Sequence, residues 1–341
     1  MNRRSLLILS TALLCAPSLR AGETPVLELP GGDGPGKGKH IVLLAGDEEY
    51  RSEEALPMLA GILSAHHGFK TTVLFSVNKD GVIDPNNGGS LSGSEALDSA
   101  DAIIMSLRFR HWDDKDMKRF FDAFSRGLPV IALRTSTHAF NLDDKSEYKT
   151  FTWNNAEGGF GKKVLGETWV SHWGQHGPEG TRGIIEPTAK THELLRGVKD
   201  IMGDTDVYEA APPADATILV RGQVMKSQMA DSPPADYRKK TRAGTEQGVN
   251  DPMMPVVWTR EYKNETGKTN RILTTTLGAA SDFKNEALRR LVVNGLYWGL
   301  KMEVPAAANV TLTGEYTPSK FGFNGAKKDI KPADTALKPA K

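Results

Sequence analysis

The residues able to do chemistry fall into a few short stretches. His172 and His176 stand four apart in Ser171-His172-Trp173-Gly174-Gln175-His176. On a helix they would share a face, as metal-binding histidines do, whereas Gly174 between them favours a loop. With His138 they would supply a three-histidine site for a divalent metal such as zinc. Trp169 and Trp173 beside them suit a different use, stacking on a sugar ring. Arg134-Thr135-Ser136-Thr137-His138 follows an apolar run, as a nucleophile elbow would, but the G-x-S-x-G signature is absent. Three readings stay open there. Ser136 is a nucleophile served by His138, Ser136 and Thr137 cap a helix, or Arg134 and His138 line a polar pocket and hold substrate oxygens. Asp47 and Glu49 could act as general bases or bind sugar hydroxyls, and acids at that place equally suit the start of a helix. Arg108, Arg110 and His111 are either ligands for anionic or neutral oxygens or members of surface ion pairs. Asp204 and Asp206 read as turn residues, and Asp282 and Glu286 as caps of the last helix.

The elements that must position these groups alternate between two hydrophobic periods. His40 to Ala45 is a continuous apolar run ended by Gly46, the pattern of a strand buried on both faces. Ser52-Glu53-Glu54 opens a helix with Leu56, Leu59, Ile62 and Leu63 inward, and Gly68 closes it. Strands are expected over Phe69 to Val77, Ala102 to Leu107 and Pro129 to Leu133. A short helix is expected over Ser94 to Ser99, and another over Asp114 to Ser125 with Met117, Phe120, Phe121 and Phe124 inward. Later strands fall at Ala216 to Val220, Val256 to Thr259 and Arg271 to Thr276, before a helix over Asn285 to Leu300. Alternating strands and helices imply right-handed crossovers, hence an α/β fold with a doubly wound, mainly parallel sheet and helices on both faces. In such sheets the site lies beyond the carboxyl ends of the strands, which is where Asp47, Arg108 and Arg134 stand.

The chain has 341 residues, 43 Lys+Arg against 42 Asp+Glu and a formal charge of +1. That balance excludes an electrostatic grip on nucleic acid. The 12 Phe, 7 Tyr and 6 Trp exclude wholesale disorder. Residues 1–21 read as a secretory signal peptide, with Arg3 and Arg4 ahead of a short apolar stretch from Leu6 to Ala16, so the protein is expected to be exported to the periplasm or beyond. No later run is long enough to span a bilayer. The single cysteine, Cys15, lies inside that peptide, so the mature chain is expected to carry no thiol chemistry. Residues 22–38 read as a flexible Gly/Pro-rich lead-in, 39–305 as one domain, and 306–341 as a poorly ordered tail.

Several stretches resemble the ThuA-like (trehalose-utilisation) family over roughly His40 to Pro305. They are Gly46-Asp47-Glu48-Glu49-Tyr50-Arg51-Ser52-Glu53-Glu54, Arg134-Thr135-Ser136-Thr137-His138-Ala139-Phe140, Gly166-Glu167-Thr168-Trp169-Val170-Ser171-His172 and Thr275-Thr276-Leu277-Gly278-Ala279-Ala280. Tyr316 to Phe323 resembles the exported bacterial branch of that family. The resemblance implies a class I glutamine amidotransferase-like, flavodoxin-like fold. Amidotransferase activity is not expected, because Arg134 stands where that chemistry needs a cysteine. Ala279 also stands where typical relatives carry a histidine. The family's link to sugar metabolism implies a small-molecule carbohydrate partner and acid/base processing of a keto-sugar or glycoside. On that reading His138, His172, Glu49 and Asp47 are the catalytic candidates. Arg134, Ser136, Arg108, Trp169, Trp173 and His176 are the substrate-binding ones. The alternatives are a non-catalytic glycan-binding or scaffold protein, and a metal-dependent hydrolase using the histidines.

Overall fold

The computed structural model of the chain describes residues 24–338. The signal-peptide reading, with Cys15, lies outside those residues. In chain order the elements are β1 (Leu27–Leu29), β2 (His40–Gly46), α1 (Ser52–His67), β3 (Lys70–Phe75), β4 (Ala102–Leu107), α2 (Asp114–Ser125) and β5 (Val130–Leu133). Then come β6 (Gly180–Ile185), β7 (Met202–Gly203), β8 (Thr217–Met225), β9 (Arg238–Lys240), β10 (Glu246–Gly248), β11 (Met254–Lys263), β12 (Thr269–Thr275) and α3 (Glu286–Gly299). Short 3-10 turns cover Ser94–Ser99 and Arg134–His138, among others.

Ten strands make one sheet in the order β1-β3-β2-β4-β5-β12-β11-β8-β6-β7, with β9 and β10 as a separate pair. The stretch β3-β2-β4-β5-β12 is parallel. Every other neighbour pairs antiparallel. The expected mainly parallel sheet is thus a mixed one. The reason is connection length: β11 and β12 are joined by a tight turn, which permits only antiparallel return, whereas parallel neighbours need a crossover.

Helices do cover both faces. All seven residues of β2 are buried, as the unbroken apolar run predicts. Ile41, Leu43 and Ala45 face the core shared with α1 and α3, while Val42 and Leu44 face the core built on α2. Side chains alternate across a strand, so one apolar run feeds both cores. α2 spans the residues read from its periodicity, and the Asp113 side chain caps it by accepting from Asp116 N. α3 is capped by Asn285, which accepts from Leu288 N. α1 begins otherwise than expected. Arg51 holds the capping position at φ 60 with no side-chain cap, and Ser52 Oγ instead accepts from Asp47 N at 3.0 Å.

Both ends depart from the sequence reading. The lead-in adds β1 to the sheet edge against β3. The segment after Pro305 packs over α1 and α3 instead of trailing. Val310 and Phe321 are buried, His66 and His67 donate to Thr311 O and Asn309 O at 2.8 Å, and Tyr316 OH donates to Ala280 O at 2.8 Å. Its apolar residues are widely spaced among Lys, Pro and Gly, so the composition looks loose while each one still finds a core to join. No helix among the described residues is long and apolar enough to cross a membrane.

Candidate active site

β2, β4, β5 and β12 run in the same direction, so the chain leaves all four at one rim. Glu49, Arg108, Arg134, His138 and Thr276 therefore collect there although they are far apart in sequence. Arg134 is the first residue past β5 and sits at φ 39. That left-handed conformation costs a non-glycine residue about 1–3 kcal/mol and needs strong contacts to hold it. It has them. The guanidinium is fully buried, donates to Thr276 O at 2.7 Å and Asp206 O at 3.0 Å, and pairs with Asp206 Oδ1 at 2.9 Å. It also donates to Tyr50 OH at 3.2 Å. Tyr50 and Tyr208 sandwich it at 4.3 and 4.2 Å from their ring centres.

Asp206 is the hub. Its buried carboxylate meets Arg134 and also both histidines of the Ser171–His176 stretch. His172 Nδ1 lies 2.8 Å from Oδ2, and His176 Nδ1 lies 3.2 Å from Oδ1. Burial alone would raise the Asp206 carboxyl, but the bonds from His172 and His176 and the Arg134 charge hold it well below the usual range. Asp206 is held from behind by Asp282: Thr205 donates to Asp282 through N at 3.1 Å and Oγ1 at 2.8 Å. Asp282 also accepts from Gly278 N and Ala279 N, so it organises the turn after β12 instead of capping α3.

The histidine stretch is a loop. Trp173 N and Gly174 N donate to Val207 O at 2.8 and 3.0 Å, and Lys239 Nζ donates to His172 O at 2.6 Å. A Cβ on Gly174 would sit 3.3 Å from Asp206 Cβ and from Val224 Cγ1, so the small residue lets the loop lie close against the hub. His176 bridges two carboxylates, with Nε2 3.2 Å from Glu49 Oε1. Its hydrogen bonds to Asp206 and Glu49 raise its pKa to about 9. Burial works to raise the Glu49 carboxyl, but the His176 bond and the Arg108 charge hold it below its ordinary value. Arg108 Nε is 3.3 Å from Glu49 Oε2 and also pairs with Glu48, which Arg110 binds at 2.7 Å.

Two nitrogens stay open. His172 Nε2 and His138 Nε2 have no hydrogen-bond partner among the described residues, whereas His138 Nδ1 lies 3.2 Å from Thr137 Oγ1. Burial, helped by the charges of Arg108 and Arg134, pushes His138 well below its ordinary value, so it is a neutral imidazole. A carboxylate on His172 Nδ1 favours the tautomer with the proton there and leaves Nε2 as the open acceptor. Aromatic rings border both. Trp169 lies 5.7 Å from His138 and 5.8 Å from His172, and Phe109 lies 4.8 Å from His138.

Four expected roles change. Asp47 is sealed, accepting from Glu49 N and Tyr50 N at 2.8 and 3.0 Å and from Thr135 Oγ1, so it shapes the Glu49 turn and cannot act as a base. Ser136 is also sealed, donating to Met105 O at 2.9 Å, and serves neither as nucleophile nor as ligand. Trp173 lies in the core with Nε1 on Val249 O at 2.8 Å, out of reach of a sugar. Both terminal nitrogens of Arg134 donate to protein atoms while its Nε is buried without a partner, so the residue positions Asp206 instead of substrate. The three-histidine metal set is also revised: His172, His176 and Asp206 offer ligand atoms within 4.8 Å of one another, and His138 is not among them. Asp206 was missed because nothing in its spacing ties it to His172, over thirty residues before it. Tyr50 and Tyr208 were missed because lone tyrosines look like ordinary core.

No family model matches the sequence, and no curated protein does. Among solved structures, the fold is similar to a thua-like protein from Parabacteroides merdae ATCC 43184. That match has 17% identity and a TM-score of 0.49 over 84% of this chain and 95% of the other. A thua-like protein from Bacteroides uniformis ATCC 8492 matches at 15% identity and a TM-score of 0.46, over 78% and 92% of the two chains. These neighbours bear the name of the family that the sequence motifs resemble.

Proposed function

We propose that the protein is an exported carbohydrate-active enzyme that moves protons on a keto-sugar or glycoside at this rim. Export rests on the charge and apolar pattern of residues 1–21. The observation that carries the reading is His172, whose Nδ1 lies 2.8 Å from the buried Asp206 carboxylate while its half-buried ring leaves Nε2 without a protein partner. A ketone acidifies the neighbouring C–H, so a fixed imidazole base can drive elimination or isomerisation. In this scheme His172 Nε2 takes the proton and, as the imidazolium, returns it, while neutral His138 donates a hydrogen bond from Nε2–H to a substrate oxygen. Arg108 stabilises the oxygen on which charge develops, and the His176 imidazolium holds Glu49 and Asp206 in place. Trp169 stacks on the ring.

The test is turnover of a keto-glycoside by His172→Ala and His138→Ala. A fall of about 100-fold or more in each supports the scheme, the range expected for a positioned acid or base. Unchanged rates in both refute it. Binding of oligosaccharide by the wild type with no turnover would favour the scaffold alternative. A second reading is favoured by the grouping of His172, His176 and Asp206, a set of two imidazoles and one carboxylate that suits zinc. Stoichiometric zinc in purified wild type, lost in His176→Ala, would establish it.

A further inference from the structure

Away from the rim, a cavity of about 640 Å³ lies between the start of α1 and the returning C-terminal segment. Its lining combines the acids Glu53, Glu54, Glu315 and Asp334 and the lysines Lys327 and Lys338 with the apolar side chains of Ile83, Ile330 and Leu337. None of these residues belongs to the histidine cleft. Glu53 is 7% exposed. Both of its carboxylate oxygens are buried without a hydrogen-bond partner, and so is Oε1 of Glu54. Glu54 Oε2, by contrast, is satisfied by Ser319 N at 2.8 Å and lies 3.4 Å from Lys327 Nζ.

A buried polar group left without a partner costs about 1–3 kcal/mol, and more when charged. Native interiors carry few of them, each needing a cause. Burial also drives the Glu53 carboxyl up to about 8, outweighing its own backbone N–H and the Arg51 charge. Three acceptor atoms therefore stand unpartnered on two residues that line a chamber with an apolar side. A primary ammonium has three N–H donors and one compact charge. A hydroxyl has a single donor. A bare calcium or magnesium ion needs six or more oxygens and would leave the apolar wall unused.

We propose that this cavity is a binding site for a primary ammonium group carried on an apolar body. The ammonium sits against Glu53 and Glu54 Oε1, and the body lies along Ile83, Ile330 and Leu337. The site is independent of the chemistry at the histidine cleft.

Calorimetric titration of the full chain with hexylamine, and with 1-hexanol as the neutral isostere, tests this. Hexylamine should bind, 1-hexanol should bind at least about ten-fold more weakly, and Glu53→Gln should weaken hexylamine at least about ten-fold, as charge-assisted bonds of this kind imply. Leu337→Trp, which fills the chamber from its wall, should also abolish binding and covers the case in which Glu53→Gln does not fold. His172→Ala should bind hexylamine as the wild type does. Absence of hexylamine binding, equal affinity for hexanol, indifference to Glu53→Gln in a folded variant, or loss in His172→Ala would each overturn the proposal.

Discussion

Replacing Asp206 by asparagine probes the centre of the site with one functional group changed. The carboxylate accepts from three donors: Arg134 and His176 on Oδ1, and His172 on Oδ2. An asparagine offers one acceptor oxygen and a donor NH2. If that oxygen stays with Arg134 and His176, the amide faces His172 Nδ1, which must then give up its proton and accept. The proton moves to Nε2 and the base is lost. Arg134 meanwhile keeps its charge, fully buried, with no counter-ion in contact. Breaking a buried pair in this way costs about 3–5 kcal/mol, or roughly 10 °C in melting temperature for a domain of this size. The pH dependence gives a second check. His176 titrates near 9 when folded and near 6.5 when unfolded. Its contribution is fully present below pH 6.5 and is lost as pH rises through 9. The Asp206→Asn variant should flatten that decline, because one of the two carboxylates holding the proton is gone. Urea unfolding between pH 6 and 9, with ¹⁵N spectra of the imidazoles, reads all three effects. A stability loss under about 1 kcal/mol with His172 still protonated on Nδ1 would refute the hub role.

The remaining expectations separate ring-binding surface from core and test the C-terminal segment. Trp173→Ala should cost about 3–5 kcal/mol in stability, as a large buried side chain does. Trp169→Ala should cost under about 1 kcal/mol but weaken sugar binding about three- to ten-fold, the scale of one aromatic contact. Unfolding curves and sugar titrations of both variants check the pair, and equal stability losses would contradict the placement. Ending the chain at Pro305 removes Ala308, Val310 and Phe321 from buried positions, at about 1.5–3 kcal/mol for each larger side chain. The shortened protein should therefore melt about 10 °C lower or more, or fail to stay soluble. An unchanged melting curve would show that the segment adds nothing.

Much of the scaffold was legible because local chemistry dictates it. The apolar run of β2 announced a strand buried on both sides, and the helical spacing of Met117, Phe120, Phe121 and Phe124 gave α2 its inward face. Parallel strands also predicted which residues stand at the rim. The site was less legible, and the errors share a cause. Residue type marks Asp47, Ser136, Trp173 and Arg134 as reactive or sticky, yet whether a group meets solvent or backbone depends on neighbours contributed by distant segments. Asp47 is sealed by the turn it builds together with Thr135, and Ser136 by the edge of β4.

The sequence by itself determined the alternation of strands and helices, the residues that follow each strand, and the absence of cysteine beyond residue 15. Those follow from hydrophobic period, turn residues and composition, which act over a few positions. Only the tertiary structure decided that Asp206 gathers Arg134, His172 and His176, that half of the sheet is antiparallel, and that residues after Pro305 close over α1. Each of these depends on contacts between segments tens of residues apart or more. Such contacts form because burial and charge pairing are satisfied jointly across the fold, and no local pattern encodes which distant partner will supply them.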